Sequence, residues 1–107
     1  MSTYTEVPVT AIPEGAFLLD VRENDEWAAG RSADAHHVIL GTLPQKLDEL
    51  PRDQTIACIC RGGGRSAQAA EFLVAQGFTA VNVIGGMNAW AQAALPMVGD
   101  GPVPQVI

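Results

Sequence analysis

Cys60 opens a stretch of residues whose types and spacing could activate a thiol. Residues 60–66 have the sequence Cys-Arg-Gly-Gly-Gly-Arg-Ser, with three consecutive glycines between two arginines. Glycines let the backbone turn through positive φ and direct successive N–H groups inward, which forms a nest for anions. A helix N-terminus and arginine charge both lower the pKa of a cysteine from about 8.5. Cys60 is therefore a candidate nucleophile for an anionic substrate.

The alternative is a plain connection between a strand and a helix, in which Cys60 is a small buried hydrophobic residue. The arginines argue against this alternative, because Arg61 and Arg65 are two of only six basic residues in the chain. Both lie within five positions of one cysteine. Such clustering favours a site for an anion.

The loop requires a strand before it and a helix after it. Residues 55–60 are predominantly apolar, which is typical of a central strand that delivers Cys60 to the carboxyl edge of a parallel sheet. Residues 65–76 place apolar side chains at helical spacing, and Gly77 ends this helix. Residues 16–21 and 79–84 are further buried strands, and a last helix runs from Gly85-Gly86 to Pro96.

Four weaker elements complete the pattern. Residues 6–10 predict an edge strand, and residues 37–40 predict another strand. Residues 23–29 predict a short helix with Trp27 packed inward. Residues 43–50 predict a helix, because their leucines recur at helical spacing. Strands that alternate with helices predict an α/β fold with a small, mostly parallel central sheet and helices on both faces.

Asp20 and Arg22 follow another of the predicted buried strands. Because ligands of open α/β sheets bind outside the carboxyl ends of the strands, both residues share an edge with Cys60. They either anchor their own loop by hydrogen bonds or contact the substrate directly.

Residues 60–66 resemble the active-site loop of the rhodanese family, Cys-Arg-x-Gly-x-Arg-Ser/Thr. Further matches lie in the expected order between about residues 6 and 98: residues 19–23, Glu26-Trp27, Gly30, Gly77-Phe78, residues 85–87 and Trp90. One segment departs from the family, since Arg31, Ala33 and Asp34 stand where His, Pro and Gly are usual.

The resemblance implies a single rhodanese-like three-layer domain over residues 1–107, with a core at about 6–98 and an extended tail at 99–107. It also implies a sulfurtransferase that moves a sulfane sulfur from a small anionic donor such as thiosulfate, through a persulfide on Cys60, to cyanide or a thiol acceptor. A protein thiol is included among these acceptors. The tail carries Val103, Val106 and Ile107, which could dock on a partner.

The resemblance also assigns roles to the loop residues. Arg65 orients the anion or braces the loop, and the mechanism requires neither an organic cofactor nor a metal. The expected substrate cradle consists of Arg61, Gly62, Gly63, Gly64 and Arg65, supported by Asp20, Arg22 and Ser66.

Two other classes of function share features of this loop. A cysteine-dependent phosphatase or arsenate reductase has five residues between its cysteine and arginine, but here Ser66 occupies that arginine position. An interaction module or a partner-dependent persulfide carrier is the other alternative. Rhodanese-like domains without activity often lack the cysteine, so the presence of Cys60 favours catalysis.

Composition and charge narrow the possible partners and compartment. A formal net charge of −6 disfavours nucleic acid and anionic membranes as partners. The N-terminal residues lack the basic and apolar regions of a secretory signal, and no apolar run reaches membrane-spanning length. We therefore expect a cytoplasmic protein in which Cys58 and Cys60 stay reduced.

Two pairs of neighbouring side chains have the chemistry of a disulfide or of metal ligands, but their spacing favours neither. Cys58 and Cys60 lie two positions apart on a strand, about 6.6 Å between Cα atoms, so a bridge between them would require distortion. His36 and His37 are adjacent, so their rings point to opposite faces of a strand and do not favour one metal site.

Overall fold

The computed structural model describes residues 4–107. Within these residues five strands form one sheet, in the order β1-β5-β4-β2-β3, and all four pairings of neighbouring strands are parallel. The strands are β1 (Thr5–Val7), β2 (Phe17–Asp20), β3 (His36–His37), β4 (Ile56–Ile59) and β5 (Ala80–Val83). The predicted α/β fold with a small parallel sheet is confirmed.

Among residues 4–107 there are also three α-helices and three short 3₁₀ segments, which connect the strands except for the last helix, which follows β5. The helices are α1 (Asn24–Ala29), α2 (Gly64–Ala75) and α3 (Gly86–Gln92), and the 3₁₀ segments are Val9–Ala11, Leu40–Gln45 and Leu47–Glu49. Between residues 4 and 107, none of the helices combines the length and the apolar character needed to cross a membrane.

Successive residues of β4 face opposite sides of the sheet, as the period of a strand requires. Ile56 and Cys58 pack in a core cluster with α2, whereas Ala57 and Ile59 pack in a second cluster with Met87 of α3. Helices therefore cover both faces of the sheet, which confirms the predicted three layers.

Proline positions explain two differences from the predicted elements. The predicted helix over residues 43–50 is wrong, because the helical turns begin earlier, at Leu40, and Pro44 cannot donate the bond to the Leu40 carbonyl that an α-helix would need. The chain instead forms two short 3₁₀ segments separated at Lys46. The predicted strand over residues 6–10 ends at Val7, since Pro8 breaks the pairing and starts a 3₁₀ turn.

Two further element boundaries differ from the sequence pattern. Helix α3 ends at Gln92 rather than at Pro96, because Ala94 adopts a positive φ of 55° that no α-helix continues. The predicted strand over residues 37–40 pairs regularly only at His36 and His37, and a 3₁₀ segment begins at Leu40.

The C-terminal segment lies against the domain near α1. Val98 forms an antiparallel bridge with Arg31, and the backbone N–H of Gln105 donates to the Ala29 carbonyl. Val106 packs against the cluster on the α3 side of the sheet. Val103 is 70% exposed, so the segment is buried only in part.

Candidate active site

The parallel sheet brings Cys60 to the edge that also carries Asp20. Strand β4 pairs with β2 so that Ile59 lies opposite Asp20, and Cys60 follows directly. The chain then turns at Gly63, whose φ of 111° is in the left-handed region that favours glycine, and α2 begins at Gly64. The strand, glycine turn and helix that the sequence predicts around Cys60 are all present.

The sulfur of Cys60 is surrounded by hydrogen-bond donors. The Gly63 N–H donates to Cys60 Sγ over 3.1 Å, and the Ser66 hydroxyl lies 3.2 Å from the same sulfur. Burial raises the pKa of Cys60, but hydrogen bonds from Ser66, Gly63 and Gly62 together outweigh burial and bring this pKa below its ordinary value. The site therefore favours a thiolate.

Cys58 and Cys60 are both buried, with 0% and 1% exposure, but their pKa values shift in opposite directions. Desolvation, and after it the charge of Cys60, raises the pKa of Cys58 to about 12. Both cysteines are free thiols. Of the two thiols, Cys60 is therefore the one whose surroundings stabilise a thiolate.

The carbonyl side of the loop is held by the start of α3. The N–H groups of Met87 and Asn88 donate to the carbonyls of Cys60 and Arg61, over 2.8 and 3.0 Å. This contact requires Gly86, because a Cβ atom there would lie 2.3 Å from the Cys60 carbonyl oxygen and its φ is +53°. With these carbonyls engaged by α3, the loop directs its N–H groups toward the sulfur.

Arg65 fixes the first turn of α2 to α1. Its guanidinium donates to both carboxylate oxygens of Glu26, over 2.7 and 2.9 Å. The hydrogen bonds from Arg65 lower the pKa of Glu26 to about 2, and the same contact raises the pKa of Arg65 above its ordinary value. Of the two roles that the sequence left open for Arg65, these contacts match bracing of the loop.

The outer rim of the loop faces solvent. Arg61, Gly62 and Gly64 are exposed, and Gly63 and Arg65 are partly buried. Arg61 Nε donates to the Ile107 carbonyl over 2.9 Å, so the C-terminal segment reaches this rim. A small anion can approach the loop from this side.

Asp20 and Arg22 bind each other rather than the loop. Both are fully buried, and Arg22 Nη2 donates to Asp20 Oδ2 over 2.8 Å and to the Gly30 carbonyl over 2.7 Å. In the described part of the chain, Arg22 Nη1 is the one buried side-chain polar atom without a partner. These contacts match the anchoring role, since they tie the end of β2 to the end of α1.

The adjacent histidines contact different aromatic rings. His36 stacks on Phe17 with ring centroids 4.0 Å apart, and His37 stacks on Trp27 at 4.5 Å. Arg31, which stands where the family usually has His, places its guanidinium carbon over the Trp27 ring, 4.9 Å from the ring centroid. Among residues 4–107 no group of three or more potential ligands is arranged for a metal ion.

Two residues at the site were missed by the sequence interpretation of function. In the sequence Glu26 forms part of a family match without a role of its own, whereas in the structure it is the partner of Arg65. The sequence pattern predicts only that Asn82 belongs to a buried strand, whereas in the structure its amide oxygen lies 2.6 Å from Ser66 Oγ. A buried amide in an otherwise apolar strand was the available signal, because buried polar groups require partners.

Comparison with known proteins agrees with this geometry. The rhodanese-like domain family matches residues 9–93. The chain is 42% identical over 83 residues to the Bacillus subtilis protein YtwF, covering 78% of this chain and 81% of that protein. It is 36% identical over 85 residues to the thiosulfate sulfurtransferase GlpE of Actinobacillus pleuropneumoniae, with coverage of 78% and 79%.

A solved structure supports the same assignment. The rhodanese-related protein of Thermoplasma volcanium matches with a TM-score of 0.84 and 35% identity, over 89% of this chain and 98% of that chain. The chain therefore belongs to the rhodanese-like family. Its relatives place it with the rhodanese-type sulfurtransferases.

Proposed function

We propose that this protein transfers a sulfane sulfur from thiosulfate, or from a donor of similar size and charge, to a thiophilic acceptor through Cys60. The Cys60 thiolate attacks the outer sulfur of the donor, and a new S–S bond forms. The S–S bond of the donor breaks, and sulfite leaves with the electron pair. Cys60 then carries a persulfide anion.

Cyanide or a thiolate completes the cycle. The acceptor attacks the outer sulfur of the persulfide, the Cys60–sulfur bond breaks, and its electron pair returns to Cys60 as a thiolate. With cyanide the product is thiocyanate. Because the nucleophile enters and leaves as a thiolate, neither half-reaction requires a general base, a metal or an organic cofactor.

The contrast between the two cysteines is the observation that carries this proposal. Cys60 Sγ lies within hydrogen-bond distance of the Gly63 N–H and the Ser66 hydroxyl, whereas burial raises the pKa of Cys58 to about 12. Donors around a sulfur stabilise the negative charge that forms and departs in each half-reaction. The relatedness to a named thiosulfate sulfurtransferase supports the choice of donor.

The loop favours a small anion over a phosphate ester. Ser66, at the position of the arginine in a Cys-x₅-Arg loop, is buried and faces the sulfur. Arg65 is engaged by both oxygens of Glu26 and does not present a free fork to a phosphate. The exposed Arg61 remains as the positive charge at the rim, where an anionic donor would arrive.

Thiocyanate formation from thiosulfate and cyanide tests this function. We expect turnover by the wild type, no turnover by Cys60→Ser, and most of the activity in Cys58→Ala, because only Cys60 lies among the loop donors. An aryl phosphate assayed in parallel should not be hydrolysed. Equal loss of sulfur transfer in both variants would contradict a single nucleophile, and phosphate hydrolysis would contradict the specificity of the loop.

The acceptor and the compartment are part of the same proposal. Cys60 itself is 1% exposed, and a small thiol or a cysteine of another protein would reach the outer sulfur of its persulfide past the exposed Arg61, Gly62 and Gly64. The acidic chain and its free cysteines suit a reducing cytoplasm. No nucleic acid or membrane partner is proposed, since the net charge of −6 opposes both.

A further inference from the structure

A chain of buried polar side chains connects Cys60 to strand β5. Ser66 is fully buried, and Asn82 of β5 is 1% exposed. Ser66 Oγ lies 3.2 Å from Cys60 Sγ and 2.6 Å from Asn82 Oδ1. Asn82 Nδ2 donates to Glu6 Oε2 over 2.9 Å and to the Gly63 carbonyl over 3.2 Å.

These contacts determine which way the Asn82 amide faces. Both neighbours of Nδ2, the Glu6 carboxylate and the Gly63 carbonyl, are acceptors, so they require the NH₂ group on their side. A flipped amide would place Oδ1 against two oxygens that cannot donate. The Asn82 oxygen is thereby held against Ser66.

The Ser66 hydroxyl has one proton and two acceptors within reach. When Cys60 is a thiol, its S–H can donate to Ser66 Oγ, and the Ser66 proton goes to Asn82, so every group is satisfied. When Cys60 is a thiolate, it competes for the Ser66 proton. If the Ser66 hydroxyl then turns to the sulfur, Ser66 Oγ and Asn82 Oδ1 lie 2.6 Å apart with no proton between them, and these two oxygens repel each other.

We propose that Asn82 is a positioning residue that competes with Cys60 for the single Ser66 proton, so that Ser66 turns toward the sulfur in the thiolate and toward Asn82 in the persulfide. The second half rests on the proposed function. In the persulfide the charge lies on the outer sulfur, and Sγ becomes an uncharged, weak acceptor. Asn82 therefore keeps the thiolate incompletely stabilised, which favours its attack on the donor.

Other charged groups near Cys60 have partners of their own. Arg65, on α2, is paired with Glu26 of α1 and also interacts electrostatically with Cys60, a contribution that the Ser66 and Asn82 variants leave in place. Arg61 bonds to the C-terminal segment. Cys58, in β4 two residues before Cys60, remains protonated near neutral pH because its pKa is raised to about 12. Glu6 of β1 lies on the far side of Asn82.

Alkylation of Cys60 by iodoacetamide as a function of pH tests the competition and needs no sulfur donor. Ser66→Ala should move the midpoint to higher pH, because the thiolate loses a donor. Asn82→Leu, which nearly conserves volume, should move the midpoint to lower pH and speed alkylation about three- to tenfold on the acid side. In the Ser66→Ala background the same Asn82 change should have no effect.

The sign of the shift separates this role from a merely structural one. A loosened loop would lose N–H donors and raise the midpoint in Asn82→Leu. A higher midpoint, or the same shift with and without Ser66, would overturn the proposal.

A measurement on the wild-type protein avoids any folding defect of the variants. The ¹³C signal of the Asn82 side-chain carbonyl should move with the ionisation of Cys60, and it should return toward the thiol-state position when thiosulfate loads the cysteine. Asn24, exposed on α1, is the internal control. An Asn82 signal that ignores the ionisation of Cys60 would overturn the proposal, and so would a signal that stays at its thiolate-state position while the intact mass of the same sample shows an added sulfur. A mass without added sulfur would instead contradict the proposed donor.

Discussion

The ion pair between Glu26 and Arg65 should make a measurable, pH-dependent contribution to stability. Glu26→Gln keeps the size of the side chain and removes its charge. Pairing lowers the pKa of Glu26 from 4.5 to about 2, and at about 1.36 kcal/mol per pKa unit this shift corresponds to at most about 3.4 kcal/mol. Because the Arg65 side chain is 35% exposed, solvent screens the pair. We expect Glu26→Gln to cost about 1–2 kcal/mol at pH 7.

The pH dependence follows from the direction of the pKa shift. A carboxylate with a lowered pKa in the folded state contributes stability above its unfolded pKa of 4.5, and this contribution is lost as the pH falls through about 2. The difference in unfolding free energy between wild type and Glu26→Gln should therefore be constant from pH 7 to about pH 5. It should fall below half of that value by about pH 3.

Urea unfolding at a series of pH values measures this difference, and the melting temperature at pH 7 should fall by about 4–10 °C. Glu71→Gln, an exposed carboxylate on α2, is the matched control and should change stability little at any pH. In an Arg65→Gln background the Glu26→Gln cost should largely disappear. A cost that persists without Arg65, or that does not vary between pH 7 and pH 3, would refute the assigned pairing.

Two further predictions concern the groups that support the loop. Gly86→Ala should destabilise the protein by about 1–3 kcal/mol and reduce sulfur transfer, because its Cβ would lie 2.3 Å from the Cys60 carbonyl oxygen. Gly41→Ala, which has open space around its Cβ, is the control and should change neither stability nor activity. Thermal melts and the thiocyanate assay compare the two variants, and equal effects would contradict the close-approach explanation. Arg22→Met should lower the free energy of unfolding by about 3–5 kcal/mol, because it leaves the buried Asp20 carboxylate unpaired. Adding Asp20→Leu should recover part of this loss in urea unfolding. No recovery would contradict the buried ion pair.

The loop around Cys60 was predictable because its signals are local. The apolar strand, the consecutive glycines and the helical pattern occupy one continuous stretch of sequence, and each restricts the backbone in its own position. The parallel sheet was predictable for a similar reason, since alternating strands and helices allow few arrangements.

The supporting contacts were not predictable from local patterns. Glu26 and Arg65 are 39 positions apart, and Ser66 and Asn82 are 16 positions apart, so their pairing depends on how the layers pack. The leucine spacing over residues 43–50 indicates a helix, but the turns begin at Leu40 and Pro44 cannot donate the backbone bond that an α-helix starting there would need. The contact of Arg61 with Ile107 likewise arises only when the C-terminal segment lies against the domain.

If Cys60 takes a sulfur atom from thiosulfate as a persulfide, the mass of the protein must rise. The experiment is the intact mass of the reduced protein after brief incubation with thiosulfate, combined with quantification of released sulfite and peptide mapping. We predict a gain of one sulfur atom on Cys60, one sulfite released per sulfur gained, and loss of the added mass when cyanide is supplied. An unchanged mass, a sulfur found on Cys58, or the same gain in Cys60→Ser would contradict this account.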